Sequence, residues 1–195
     1  IEVSPPSSTS NSISQKLVKC NNKNKLSLLE EVLFNLDTQN TVIFCNRKKD
    51  IDILSKNLIK KKFQTITFHG DLVQSKRNEA LNNFKNASNK ILIASDVAGR
   101  GLDVNNISHV INYDVPNNPE DYVHRIGRTG RAGKKGVAIT FFSKDDLKSL
   151  GEIENLINSK IDVLDLNIKK KSEIIDDYNF NTINESDHIP NFLKR

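Results

Sequence analysis

The 195-residue sequence contains no methionine. It opens on Ile1 and a Pro/Ser/Thr-rich stretch, Val3 to Ser10, of the kind that forms extended linkers. Together these predict the C-terminal part of a longer protein, with residues 1–11 as an interdomain linker. Cysteine is scarce, with only Cys20 and Cys45 present. Two thiols so placed offer neither a disulfide framework nor a metal-binding spacing, and a reducing, cytoplasmic setting is expected. The four histidines, His69, His109, His124 and His188, show no ligand spacing, so no zinc site is expected. No apolar run approaches the ~20 residues that cross a bilayer, and no secretory signal opens the chain. No G-x-G-x-x-G follows the first strand, which argues against a metabolic dinucleotide-binding enzyme. No G-x-x-x-x-G-K-[ST] occurs either. The nearest fragment, Gly133-Lys134-Lys135, lacks the upstream glycine and the hydroxyl residue of a phosphate-gripping loop.

What is present is an alternation. Lys plus Arg number 29 against 24 Asp plus Glu, a net charge of +5 and a mild bias toward an anionic partner. Apolar runs at Ser12 to Cys20, Thr41 to Cys45, Thr65 to Phe68, Lys90 to Ala94, His109 to Tyr113 and Gly136 to Phe142 read as strands. Between them, Lys25 to Leu36, Lys49 to Lys61, Gln74 to Phe84 and Pro119 to Ile126 carry helical spacing. Ile51, Ile53, Leu54, Leu58 and Ile59 are the apolar positions of the second of these. Asn118 and Pro119 fit the start of the fourth. Ser143-Lys144-Asp145-Asp146 matches a capping box and opens a fifth helix to about Ile157. Short strands apolar throughout belong to a parallel sheet covered on both faces. The fold class is α/β, a doubly wound, mostly parallel sheet of about five to seven strands flanked by helices. Its domain spans residues 12–166. Residues 167–195, Lys-, Asn-, Asp- and Ser-rich without a period, read as a mobile C-terminal tail.

In such folds the functional loops lie at the C-terminal ends of the strands. Asn46-Arg47-Lys48, His69-Gly70-Asp71 and the stretch from Ser95 to Asp103 all fall there, which predicts one shared site face. A further stretch, His124-Arg125-Ile126-Gly127-Arg128-Thr129-Gly130-Arg131, packs three arginines and a histidine between glycines. Glycine permits a tight turn, and the arginine fork fits phosphate oxygens. The segment therefore reads as a rigid turn aimed at a polyphosphate.

Taken in order, these segments resemble the C-terminal RecA-like domain of DEAD-box RNA helicases, from about Ser12 to Ile161. Val42 to Asn46 is similar to the family's motif IV. His69-Gly70-Asp71 with Gln74 to Arg77 is similar to the segment holding its Q-x-x-R motif. Ala94 to Asp103 is similar to motif V, and Tyr122 to Arg131 to motif VI. Arg47 stands where motif IV often has Thr, and Ser95 where motif V often has Thr. Glu152-Ile153-Glu154 and the ending Ile189 to Leu193 resemble bacterial RhlE-like members.

The resemblance implies an ATP-dependent RNA helicase. It implies Arg128 and Arg131 as arginine fingers on ATP, and Asp103 and Gly101 beside the nucleotide, with Asp103 accepting from the ribose hydroxyl. Gly70, Arg77 and Ser95 would contact the RNA backbone without reading sequence. Arg100, His124 and Arg125 would join an interdomain network, although Arg125 in a structural ion pair is an equal reading. ATP and Mg²⁺ would be held mainly by an N-terminal RecA-like domain, because neither a P-loop nor an Asp-Glu-Ala-Asp cluster occurs here. This chain alone is expected to be inactive, and a monomer. A non-catalytic RNA-binding module that works without ATP is the alternative.

Overall fold

The computed structural model describes residues 12–35, 40–86, 90–99, 104, 107–131 and 133–164. Seven strands lie among them: β1 (Ile13–Lys19), β2 (Thr41–Phe44), β3 (Thr65–Phe68), β4 (Ile91–Ala94), β5 (His109–Asn112), β6 (Gly136–Phe142) and β7 (Asp162–Val163). They form one sheet in the order β3-β4-β2-β5-β6-β1-β7, and every pairing is parallel. The helices are α1 (Lys25–Asn35), α2 (Lys48–Lys60), α3 (Gln74–Lys85), the single turn α4 (Asp96–Gly99), α5 (Pro119–Ile126) and α6 (Leu147–Ile157).

Side chains alternate across the sheet with the period of two that strand geometry imposes. Ile43, Ile93, Ile111 and Ile139 face Leu29, Val32 and Leu33 of α1 and Ile51, Leu54 and Leu58 of α2. Their neighbours Val42, Phe44, Leu92 and Val110 face Ala80 and Phe84 of α3 and Ala98 of α4. Farther along that second face, Leu17, Ala138 and Phe142 pack on Tyr122 and Ile126 of α5 and on Leu150, Ile153 and Ile157 of α6. Both faces are covered, which is why β2, β4 and β5 are buried at every position. Cys45 sits at 0% exposure in the first of these layers, and burial pushes its thiol far above the ordinary range.

The expected sheet is present and is wholly parallel. Two elements had no signature in the sequence, the one-turn α4 and the two-residue β7. On α2, Ile53 and Ile59 belong to the apolar pattern but are 56% and 55% exposed. The helix turns only Ile51, Leu54 and Leu58 inward, with Ser55 between them. The capping box is present: the Ser143 side chain accepts from Asp145 N–H, and Asp146 Oδ2 accepts from Ser143 N–H at 2.8 Å. It opens one turn of 3-10 helix that continues into α6. No helix among the described residues is long and apolar enough to cross a membrane. The expected linker and tail lie outside the described residues.

Candidate nucleotide and nucleic-acid interface

The C-terminal ends of the strands form a crest. Asn46 follows β2, Gly70 follows β3, Ser95 and Asp96 follow β4, and Asp114 follows β5. One side chain joins them. Arg125, 2% exposed, donates from Nε to Asp96 Oδ1 at 2.6 Å and from Nη2 to Asp96 Oδ2 at 2.7 Å. Nη2 also donates to Asn46 Oδ1 at 2.8 Å. Nη1 donates to Asp114 O at 2.8 Å and, more weakly, to Asn112 Oδ1 at 3.5 Å. All five guanidinium donors therefore face acceptors inside the domain. The guanidinium carbon also lies 5.4 Å from the Phe44 ring centroid. Gly99 meets that ring from α4: a Cβ there would come within 2.6 Å of Phe44 Cε1, so only glycine permits the contact.

Arg125 reaches the crest from the far part of α5. That helix starts at the crest, where Asn118 Oδ1 accepts from Glu120 N–H at 3.2 Å and Pro119 occupies the first turn. Glu120 and Asp121 stand at its positive end, His124 and Arg125 at its negative end. Helical side chains lean toward the N-terminus, so Arg125 points back to the crest. The chain itself has by then crossed to the other edge of the sheet. Thr129 Oγ1 donates to Ile107 O at 2.6 Å and lies 3.0 Å from Ser108 O, both just before β5. Ser12 Oγ, just before β1, donates to Gly130 O at 2.8 Å. Gly130 has φ of +67°, and a Cβ would come within 2.6 Å of Ile13 Cγ1. The turn after α5 is thus pinned at the N-terminal edge.

On this turn Arg131 is exposed, and its Nε donates to Gly127 O at 2.7 Å. Arg128 is half-buried, and its Nε donates to His124 O at 3.3 Å. Burial, and then the charge of Arg131, lower the Arg128 pKa from its ordinary value. Arginine nevertheless stays charged at physiological pH. Each Nε is tied to a carbonyl four residues earlier, which restricts both side chains. Arg128 lines a shallow cleft together with Phe44, Asp96, Gly99, Asp121, His124 and Arg125.

The other expected site residues separate in the same way. Gly70 is exposed at the end of β3. Arg77 on α3 lies with its guanidinium carbon 5.3 Å from the Phe68 ring centroid. Ser95 joins them, because its N–H donates to Phe68 O at 3.2 Å. It is only 5% exposed, and its Oγ has no hydrogen-bond partner among the described residues. His124 is exposed, its Nδ1 3.8 Å from Asp121. Arg100, Gly101 and Asp103 lie outside the described residues. The expected shared face therefore holds Asn46, Gly70 and Ser95, while the turn that carries Arg128 and Arg131 is pinned at the opposite edge through Thr129 and Gly130, with Arg128 lining the cleft that Phe44, Asp96 and Gly99 also line. Of the two readings of Arg125, the ion pair with Asp96 is present. The partners that sequence reasoning did not single out are Asp96, Asp114, Lys25 and Thr129. Asp96 had a signal, as an acid directly after a buried strand.

A parallel sheet with a basic turn after α5 defines a class, the RecA-like C-terminal domain of helicases. The family model described as the helicase conserved C-terminal domain matches residues 24–133, more than half of the chain, and the chain belongs to that family. Its relatives are of DEAD-box type. It is 44% identical over 148 residues to the ATP-dependent RNA helicase FAL1 of Saccharomyces cerevisiae, covering 76% of this chain and 37% of that protein. The chain thus spans little more than a third of that relative's length. Among solved structures it resembles the E. coli DEAD-box protein SrmB bound to the regulator of ribonuclease activity A, with a TM-score of 0.75, 33% identity, and coverage of 79% of this chain and 91% of that one. It also resembles S. cerevisiae Dbp5 bound to RNA and ADP BeF3, with a TM-score of 0.77, 30% identity, and coverage of 84% and 44%. These relatives give no support to the expected likeness to bacterial RhlE-like members.

Proposed function

We propose that this chain is the C-terminal motor domain of an ATP-dependent DEAD-box RNA helicase, and that Arg128 and Arg131 act on ATP held by an N-terminal RecA-like domain. The observation that carries this is the pinned turn, with two guanidinium groups each tethered through Nε and Arg131 exposed. The terminal nitrogens of such a fork suit phosphate oxygens. A cationic donor set does not suit a metal ion, so Mg²⁺ falls to residues elsewhere. As the γ-phosphoryl group leaves, charge spreads over its oxygens, and two fixed cations stabilise it without reorganising. Arg100, Gly101, Asp103 and His124 complete the reading as nucleotide and interdomain contacts.

The crest is the RNA side of the same reading. Gly70 leaves room for a sugar-phosphate backbone, Arg77 supplies charge, and the Ser95 hydroxyl, unpartnered among the described residues, has a hydrogen bond to offer. Contacts of that kind hold any sequence and weaken with salt. ATP and RNA together would close the two domains, bend the RNA and destabilise a short duplex, with hydrolysis releasing it. The chain alone would not turn ATP over, and the whole protein would work as a cytoplasmic monomer. The test is RNA-stimulated ATP hydrolysis by the full-length protein carrying Arg131→Lys, which keeps the charge and loses the fork. Turnover is expected to fall about 10³-fold or more, the range an arginine finger supplies in GTPases. Undiminished turnover refutes the assignment.

A further inference from the structure

The Arg125 network continues past the residues in contact with it. Asp114, whose carbonyl accepts from Arg125, offers its Oδ2 to the N–H of Asn46 at 3.0 Å. Asn46 in turn accepts from Arg125 through Oδ1 and is fixed on its other side by Nδ2 donating to Val115 O at 2.9 Å. Oδ1 of Asp114 accepts from Lys25 Nζ at 2.6 Å. Lys25 is the first residue of α1, and its ammonium also lies 4.3 Å from the Tyr113 ring centroid. The Lys25 and Asp114 side chains are only 19% and 23% exposed. The ends of three strands and two helices thus share four charges, two cations and two carboxylates.

We infer that Lys25 and Asp114 are positioning residues for the arginine turn, acting through Arg125. The balance of charge is the reason. With Lys25 in place, Asp114 has its own cation, and Arg125 is left to Asp96 and Asn46. Without Lys25, a half-buried carboxylate faces one remaining cation, and Arg125 is drawn from Asp96 toward Asp114. With an amide at position 114, one oxygen cannot accept from both Lys25 Nζ and Asn46 N–H, and Asn46, an acceptor of Arg125, loses its fixed place. Arg125 stands in the last turn of α5, directly before Gly127 and the turn that carries Arg128 and Arg131. A displacement of that last turn moves both guanidinium groups.

The inference rests on the reading of Arg131 as a finger, and the experiment separates the two. RNA-stimulated ATP hydrolysis by the full-length protein is measured for Lys25→Met, Lys25→Arg and Asp114→Asn, each alone and combined with Arg131→Lys, with melting followed throughout. Lys25→Met and Asp114→Asn are expected to lower kcat by roughly ten- to a hundredfold, the effect of misplacing a catalytic group by about 1 Å. The KM for ATP should stay within about twofold, because the interaction lost is made in the transition state. Lys25→Arg should restore most of the rate. On the Arg131→Lys background, where only Arg128 is left to misplace, either change should cost less than it does in the wild type. Unchanged kcat in folded Lys25→Met and Asp114→Asn, or losses that multiply with Arg131→Lys, overturn the inference. If Arg131→Lys alone leaves turnover intact, the finger reading falls, and this inference with it. Asp114→Asn keeps both cations of the cluster and nearly the same volume, so it serves even if Lys25→Met does not fold.

Discussion

Two arginines of one short segment, Arg125 and Arg131, meet opposite surroundings. Arg125 is 2% exposed and gives every donor to its own domain. Arg131 is exposed and its Nε donates to a nearby backbone carbonyl. Residue type and local spacing do not explain the difference; the edge of the sheet each side chain reaches does. The crest collects polar strand ends that need a charge to bind them together. The N-terminal edge is held by neutral contacts of Thr129 and Gly130, and the exposed Arg131 is not what pins it. An arginine that is exposed, rather than buried with all its donors in its own domain, is the better candidate for chemistry.

The comparison breaks most directly on stability. Arg125→Met removes one partner of a buried pair and strands Asp96, a change that costs about 3–5 kcal/mol. Arg131→Lys should stay within about 0.5 kcal/mol of wild type, as exposed substitutions do. Denaturant midpoints of the two variants check this. Equal midpoints would erase the distinction between the edges.

The next effect concerns the N-terminal edge alone. His109 begins β5 beside Ser108, whose carbonyl faces Thr129 Oγ1, and it is 5% exposed. Burial lowers its pKa from 6.5 to about 4. Below its unfolded pKa the unfolded chain takes a proton that the folded chain refuses, so stability falls as pH drops from about 6.5 toward 4. The loss between pH 7 and pH 5 should be about 2 kcal/mol beyond that of a His109→Gln variant, which cannot take the proton. Matching pH profiles for the two proteins would mean that His109 is not sealed and that this edge is looser than the crest.

Much of this architecture was legible because burial on both faces of a parallel sheet leaves an unbroken apolar run. Thr65–Phe68, Gly136–Phe142 and Pro119–Ile126 were bounded correctly from pattern and caps. The one-turn α4 and the exposed β7 were too short to show a period. Ile53 and Ile59 misled because an apolar residue on a helix flank looks like one on its inner face. Four motifs in order sufficed to find the basic turn and the crest. The split between them was hidden, since it depends on α5 running back across the sheet. Lys25 and Asp114 were hidden for a related reason: they are 89 residues apart, and only the topology brings the start of α1 to the end of β5.

The smallest effect probes α5 itself, the one helix that touches both regions. Asn118 caps it at the crest through Glu120 N–H, and Asn118→Ala should cost about 1 kcal/mol. If the turn is held by Arg125 and by its own contacts to Ile107, Ser108 and Ser12, fraying the opposite end of the helix leaves the arginines in place. Turnover by the full-length protein should then fall by no more than about twofold, far from the penalty of a misplaced catalytic group. A loss approaching that of Arg131→Lys would mean that the turn takes its position from the capped start of α5 as well as from Arg125 and its own contacts.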